Sequence, residues 1–251
     1  MKKATMSFIE HLEELRIRLI KSALAVVCAA VCVYFFNDRI LAVLAQPVGK
    51  LVFISPTEAF MSYLKLSIWG GLFLASPVVI YQVWGFLSSG LKTNEKKWVY
   101  LFMPASFLLF VTGMSFAFFV IIRYGIHFLL SFGTASMTPM ITISKYISFL
   151  GATCLGFGIV FQLPLVLFFL TKVGLVTPSF LAQKRRHALV IIFIAAGALT
   201  PGPDIFSQLS MALPLFFLYE LGILLSRMAR SAADKEKNII EKYAETSNAT
   251  G

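Results

Sequence analysis

Six long apolar stretches, at about 19–36, 66–88, 99–122, 147–171, 188–201 and 204–226, alternate along this chain with shorter charged connections. The stretches are long and unbroken rather than short segments of alternating polarity, so they predict helices surrounded by hydrocarbon, not the strands of a membrane barrel. A hydrocarbon core about 30 Å thick needs about 20 helical residues, which four of the six supply comfortably. The fifth is short: its run from Ala188 to Leu199 reaches only about 18 Å at 1.5 Å per residue. Pro201 and Pro203 then forbid simple continuation.

Composition agrees with this pattern. Of 251 residues, 58% are hydrophobic and 14% charged, with a mean hydropathy of +0.82. Such a surface is too apolar to face water, and an all-α membrane protein of six transmembrane helices is expected. The 22 Lys and Arg set the orientation: five fall in 1–21, three in the second connection, four in the fourth and five in the tail, against five in all the other connections. By the positive-inside bias both termini are cytoplasmic. The same bias accounts for the net charge of +10 without a nucleic-acid partner, although a basic face also suits anionic lipid.

The first helix follows a charged segment without a cleavage pattern and reads as a retained signal anchor. Cys28, Cys32 and Cys154 lie inside spans and are expected as reduced thiols. His11, His127 and His187 are scattered, so neither a metal site nor a cofactor is expected. No phosphate-binding loop of the G-x-x-x-x-G-K-[ST] type occurs. An intramembrane hydrolase would need a nucleophile and base at bilayer depth, and no such pairing appears, so the chain is not read as an enzyme.

Two connections on the side opposite the termini carry local signals. In 37–65, Ser55-Pro56-Thr57-Glu58 is a capping box with proline at the first helical position, predicting a short helix that runs into the second span. In 123–146 the pattern is helical through Phe132 and then loosens. Together these connections are expected to cap the outer leaflet. The organisation is therefore one transmembrane domain over 1–230, followed by a polar tail, 231–251, expected to be frayed helix and then disorder.

Acidic residues at the cytoplasmic side are the candidate chemistry. Ser7-Phe8-Ile9-Glu10 is a second capping box, so a helix begins ahead of the membrane and presents HLEELRIRL at its surface. Glu14 and Arg18 are spaced to pair, and Glu10, Glu13 and Glu14 also favour a helix N-terminus. Glu95 is the only acid of the second cytoplasmic connection, among Lys92, Lys96 and Lys97.

The strings HLEELRIRL, SPTEAF, ASPVVIYQVWGF, NEKK and LTPGPDIFSQ, in this order on a six-span plan, resemble the TatC family, the multispanning subunit of the twin-arginine protein translocase. The resemblance covers about 7–226. It implies export of folded precursors, driven by the proton-motive force, after recognition of a signal peptide bearing paired arginines. It also implies partnership with single-span subunits of the TatA and TatB type in the lipid bilayer, with self-association left open. Carried over by motif, the signal-peptide-binding residues are Glu14 and Glu95, with Arg16 expected to orient the carboxylates. A planar guanidinium fork matches a carboxylate as lysine does not, so two spaced carboxylates can demand two arginines.

The same family pattern marks Pro47, Glu58, Phe86, Asp204 and Gln208 as partner or structural contacts, each with a plain structural alternative: a loop shape, a cap, a lipid anchor or a helix start. Gln162, in the fourth span two residues before Pro164, stands where some family members carry a carboxylate. It cannot ionise, so a hydrogen bond to a helix is expected of it rather than proton relay. Glu220 is the acid deepest in the sixth span. Pro77, Pro104, Pro164 and Pro214 predict bent helices forming a concave, glove-like wall. The alternative function, a proton-coupled small-solute secondary transporter, would usually show internal repeats, and the two halves show none.

Overall fold

The structure is a computed structural model describing residues 8–89, 93–134, 139–199 and 205–249; at 8, 93–98, 100, 199, 205–207 and 231–249 it describes the backbone alone. The described residues form helices α1 (Phe8–Tyr34), α2 (Asn37–Leu44), α3 (Pro56–Leu74), α4 (Ser76–Ser89), α5 (Thr93–Phe116), α6 (Arg123–Ser131), α7 (Ile143–Val160), α8 (Leu163–Lys172), α9 (Pro178–Gln183), α10 (Arg185–Leu199) and α11 (Ile205–Ala249). A π-helical turn, Ala117–Ile122, joins α5 to α6. The chain groups into two compact units, Met1–Gly158 and Ile159–Gly251, where the hydrophobic pattern suggests one domain over 1–230.

Among the described residues, four helical stretches are long and apolar enough to cross a bilayer: Ile9–Tyr34, Leu101–Ser131, Ile143–Lys172 and Gln208–Arg230. The pair α3 and α4, bent by 53°, would make a fifth. This bent pair carries the second apolar stretch, 66–88, as the capping box at Ser55 and the proline at 77 lead one to expect. It starts at Pro56 and breaks at Ala75, where Pro77 supplies no N–H and its ring crowds the carbonyl four residues back. The fifth apolar stretch is α10, with 15 residues, about 22 Å long at 1.5 Å per residue and short as expected. The last helix runs through Ala249, so 231–249 continue it where frayed helix and disorder are expected. This segment has no Gly or Pro and is rich in Ala, Lys and Glu, all strong helix formers.

In the first unit, α1 lies against α3 and α4. The approach is close because glycine removes the side chain that would hold the helices apart: a Cβ at Gly71 would sit 2.5 Å from the Ala30 nitrogen, and one at Gly70 would sit 2.7 Å from Val33 Cγ1. Further along, α4 meets the N-terminal half of α1 at Arg18 and His11. The partners run in opposite chain order, so α1 is antiparallel to the bent pair. Gly151 of α7 similarly admits the Trp69 ring, at 2.3 Å from its ideal Cβ, and Gly158 admits Phe110.

The connections 37–65 and 123–146 are tied together. Val52 and Thr142 form a parallel bridge, with Val52 N donating to Ile141 O at 3.0 Å and Ile143 N to Val52 O at 2.9 Å. Ser55 caps α3, its hydroxyl accepting from Glu58 N at 3.2 Å. The Glu58 carboxylate accepts from Ile54 N at 2.8 Å, one residue before the position that a capping box reaches, and from Ser144 N at 3.4 Å. Tyr146 donates its hydroxyl to the Leu44 carbonyl. Buried Asn37 fixes α2 by donating to Tyr63 O and Ser67 Oγ at 3.1 and 2.9 Å.

In the second unit, α8 begins after a break at Gln162, whose N–H turns back to Ile159 O at 3.0 Å, with Pro164 in the first turn as the proline rule requires. α8 packs on α11, and Gly222 lets Leu167 Cδ1 within 2.6 Å of its ideal Cβ.

Candidate functional site

Where α4 crosses the first half of α1, Glu14 and Arg18 face the neighbouring helix instead of the surroundings. Their spacing of four puts them on one face, and Arg18 donates from Nε and Nη2 to the same oxygen, Glu14 Oε1, at 3.0 and 2.6 Å. The remaining Arg18 nitrogen, Nη1, reaches Gln82 Oε1 of α4 at 3.4 Å. Gly85, one turn further along α4, makes room for it: a Cβ there would lie 2.1 Å from Nη1. A glycine inside a helix costs about 1 kcal/mol relative to alanine, so this one has a packing reason.

The other oxygen, Glu14 Oε2, is buried and has no hydrogen-bond partner among the described residues. Ser89 is its polar neighbour, but that hydroxyl donates to the Phe86 carbonyl at 2.7 Å and lies 3.4 Å from His11 Nδ1. A buried carboxylate oxygen without a donor costs of order 1–3 kcal/mol or more. Beside it opens a groove of about 500 Å³ lined by Glu10, Glu13, Glu14, Ile17, Arg18, Lys21, Tyr81 and Gln82. Three carboxylates there face two cations, one of which is already bound to Glu14, so the rim of the groove is acidic.

The sequence-derived residues divide. Glu14 is at the centre of this arrangement. Arg16 is exposed and makes no ion pair among the described residues; the guanidinium that orients Glu14 is that of Arg18. Glu95 lies in the first turn of α5 and its side chain is outside what the structure describes. Phe86 is half-buried and stacks on His11 at 4.3 Å between centroids and 21° between planes.

Pro47 is half-buried in the turn after α2, and Glu58 clamps the two tied connections. Gln162 occupies the position before α8, in a helical backbone conformation and without a side-chain cap bond to that helix. Gln208 donates to Phe193 O at 2.9 Å and joins α11 to α10, while Asp204 lies outside the described residues. Glu220 holds Arg185 at 2.7 Å and 2.8 Å through both its oxygens.

Residue-type reasoning did not single out Gln82, Gly85, His11, Ser89 or Arg185. Only Gly85, as a glycine inside an apolar helix, carried a signal that could have found it. Cys28, Cys32 and Cys154 are free, and no group of three metal-binding side chains occurs among the described residues.

Apolar helices and a proline-bent helix pair define a polytopic α-helical membrane protein, with an acidic groove at one helix end. The family model described as Sec-independent protein translocase protein (TatC) matches residues 10–214, and the chain belongs to that family. It is therefore a multi-pass inner-membrane protein and a component of twin-arginine protein translocation. It is 45% identical over 234 residues to the Sec-independent protein translocase protein TatC of Carboxydothermus hydrogenoformans, covering 92% of this chain and 96% of the relative. It is 36% identical to the TatC of Aquifex aeolicus over 89% of this chain and 96% of that protein. A crystal structure of the twin-arginine translocase receptor TatC superposes with a TM-score of 0.80 at 36% identity, over 88% of this chain and all of that one.

Proposed function

We propose that this chain is the receptor subunit of its translocase: it binds the paired arginines of signal peptides on folded precursors at Glu14 and Glu95 and nucleates the translocation complex. In this reading the chain spans the membrane six times with both termini in the cytoplasm. It works with single-span subunits of the TatA and TatB type, and the proton-motive force drives transport. One observation carries the reading: Glu10, Glu13 and Glu14 line one groove beside α4, with Glu14 held in place by Arg18. An arriving guanidinium would meet carboxylates there, in charge-assisted bonds about twice as strong as neutral ones.

The test is site-specific crosslinking from a twin-arginine precursor to the chain in membranes. Contact at Glu14 and Glu95, lost in Glu14→Ala and Glu95→Ala and in a precursor with both arginines changed to lysine, is expected. Normal export by both variants would end the assignment. A secondary transporter would instead bind a small solute and ignore the precursor.

A further inference from the structure

Away from the acidic groove, the first unit holds an apolar cleft of about 250 Å³ between α2, α3, α7 and the end of α5. Its floor is made by buried Leu66, Ile147, Leu150 and Cys154, and exposed Ser115 and Phe119 stand at its mouth. Ser115 supplies the only side-chain hydroxyl of the lining. A bound water needs about two to four polar partners, so this lining suits an apolar occupant instead. An apolar cavity of about 150 Å³ takes up one benzene molecule, and on that scale about ten carbons fit here. A helix with its side chains is about 10–12 Å across and too wide to reach the buried floor, whereas an extended hydrocarbon chain is not.

The backbone beside the cleft is shaped for the opening. In the π-helical turn Ala117–Ile122, the consecutive residues Phe118 and Phe119 both line the cleft while Ala117, Ile121 and Ile122 stay buried. Single π-helical turns occur frequently at functional sites. Arg123 follows directly, about one turn on from Phe119, at the start of the tied connection 123–146. It is exposed and makes no ion pair among the described residues. A free cation one turn beyond the mouth of an apolar cleft complements a molecule with an anionic head and a hydrocarbon tail.

We propose that this cleft is a phospholipid site. One acyl chain enters past Ser115 and Phe119 and rests on Leu150 and Cys154. Arg123 pairs with the phosphate of an anionic headgroup in the leaflet beside the tied connections. The bound chain restores the dispersion contacts that the cleft lining otherwise lacks and so steadies α3, α7 and the π-helical turn against one another.

The test places the full chain in phosphatidylcholine nanodiscs doped with a phospholipid that carries a photoreactive diazirine midway along one tail, under either a phosphatidylglycerol or a phosphatidylcholine headgroup. Crosslinks at Phe118, Phe119, Leu150 or Cys154 are expected. They should be about fivefold stronger with phosphatidylglycerol, the factor by which one basic side chain near a membrane surface attracts anionic lipid. Ser115→Phe plugs the mouth from an exposed position and should abolish these crosslinks with both headgroups; Ser115→Leu, a smaller plug, should weaken them. Arg123→Gln should keep the crosslinks and lose the headgroup preference. Exposed Val190 and Ile194 of α10 are the control, and their crosslinks should ignore every variant.

Crosslinks confined to such exposed residues, or cleft crosslinks unchanged in both Ser115 variants, overturn the proposal. A headgroup preference that survives Arg123→Gln removes the role given to Arg123. Loss of the cleft crosslinks on adding a single-span subunit of the TatA or TatB type would show a partner helix covering the cleft, and the lipid site would fall.

Discussion

Gly71 is the position where a single methyl group should do the most measurable harm. A Cβ there would lie 2.5 Å from Ala30 N, 2.6 Å from its Cα and 2.7 Å from its Cβ, so the obstacle is the backbone of α1 and no rotamer relieves it. Ordinary carbon contacts are about 3.5–4.0 Å, which requires α1 and α3 to part by about 1 Å and gives up dispersion along the seam. Overpacking of this kind costs about 1–3 kcal/mol. Against it stands the better helix propensity of alanine, up to about 1 kcal/mol.

The net loss for Gly71→Ala is therefore about 1–2 kcal/mol, a fall in Tm of about 2–8 °C for a chain of this size. Gly125 is the internal control, because nothing lies within 4 Å of its ideal Cβ. Gly125→Ala should leave the Tm level or slightly raised. Circular-dichroism melts of both variants in one detergent decide the matter, and crosslinking to a twin-arginine precursor should weaken in Gly71→Ala alone because α1 carries Glu14. A Gly71→Ala protein melting at or above the native temperature would refute the close-approach argument.

Two further outcomes follow from the bonding. Glu58→Ala should free the Ile54 and Ser144 amides, at about 1–3 kcal/mol of local stability. Amide hydrogen exchange should rise at both positions in Glu58→Ala and less in Glu58→Gln, and unchanged exchange would show that the clamp is idle. The Arg185–Glu220 pair is 44% and 33% exposed at its side chains, so Arg185→Ala should cost at most about 1 kcal/mol. In a double-mutant cycle on Tm, the exchanged pair Arg185→Glu with Glu220→Arg should recover that loss, whereas additive losses would deny the pairing.

Much of the local structure was legible in the chain because it rests on short-range rules. The Ser55 cap, the proline at the first position of α3, the helix ending near Phe132 and the proline break after Gln162 are each determined by residues within one turn. The bend at Ala75 was half-legible: Pro77 announced a bend, but its size depends on what α4 leans against. The π-helical turn at Ala117–Ile122 left no mark in an apolar run, since local pattern does not register where one extra residue is absorbed. In the tail, polarity argues for disorder while helix propensity in the same residues argues for the helix that α11 continues.

By itself the sequence determined the solvent and the helices: long apolar runs leave no other way to satisfy the backbone in hydrocarbon, and the motif around Glu14 places that carboxylate on the first helix whatever surrounds it. Tertiary structure decided how that carboxylate is held, with Arg18 gripping Oε1 and Oε2 buried. The answer depends on Gly85 and Gln82, remote in the chain from Arg18, and on the steric fact that a glycine opposite a guanidinium is a vacancy only when two helices have already met.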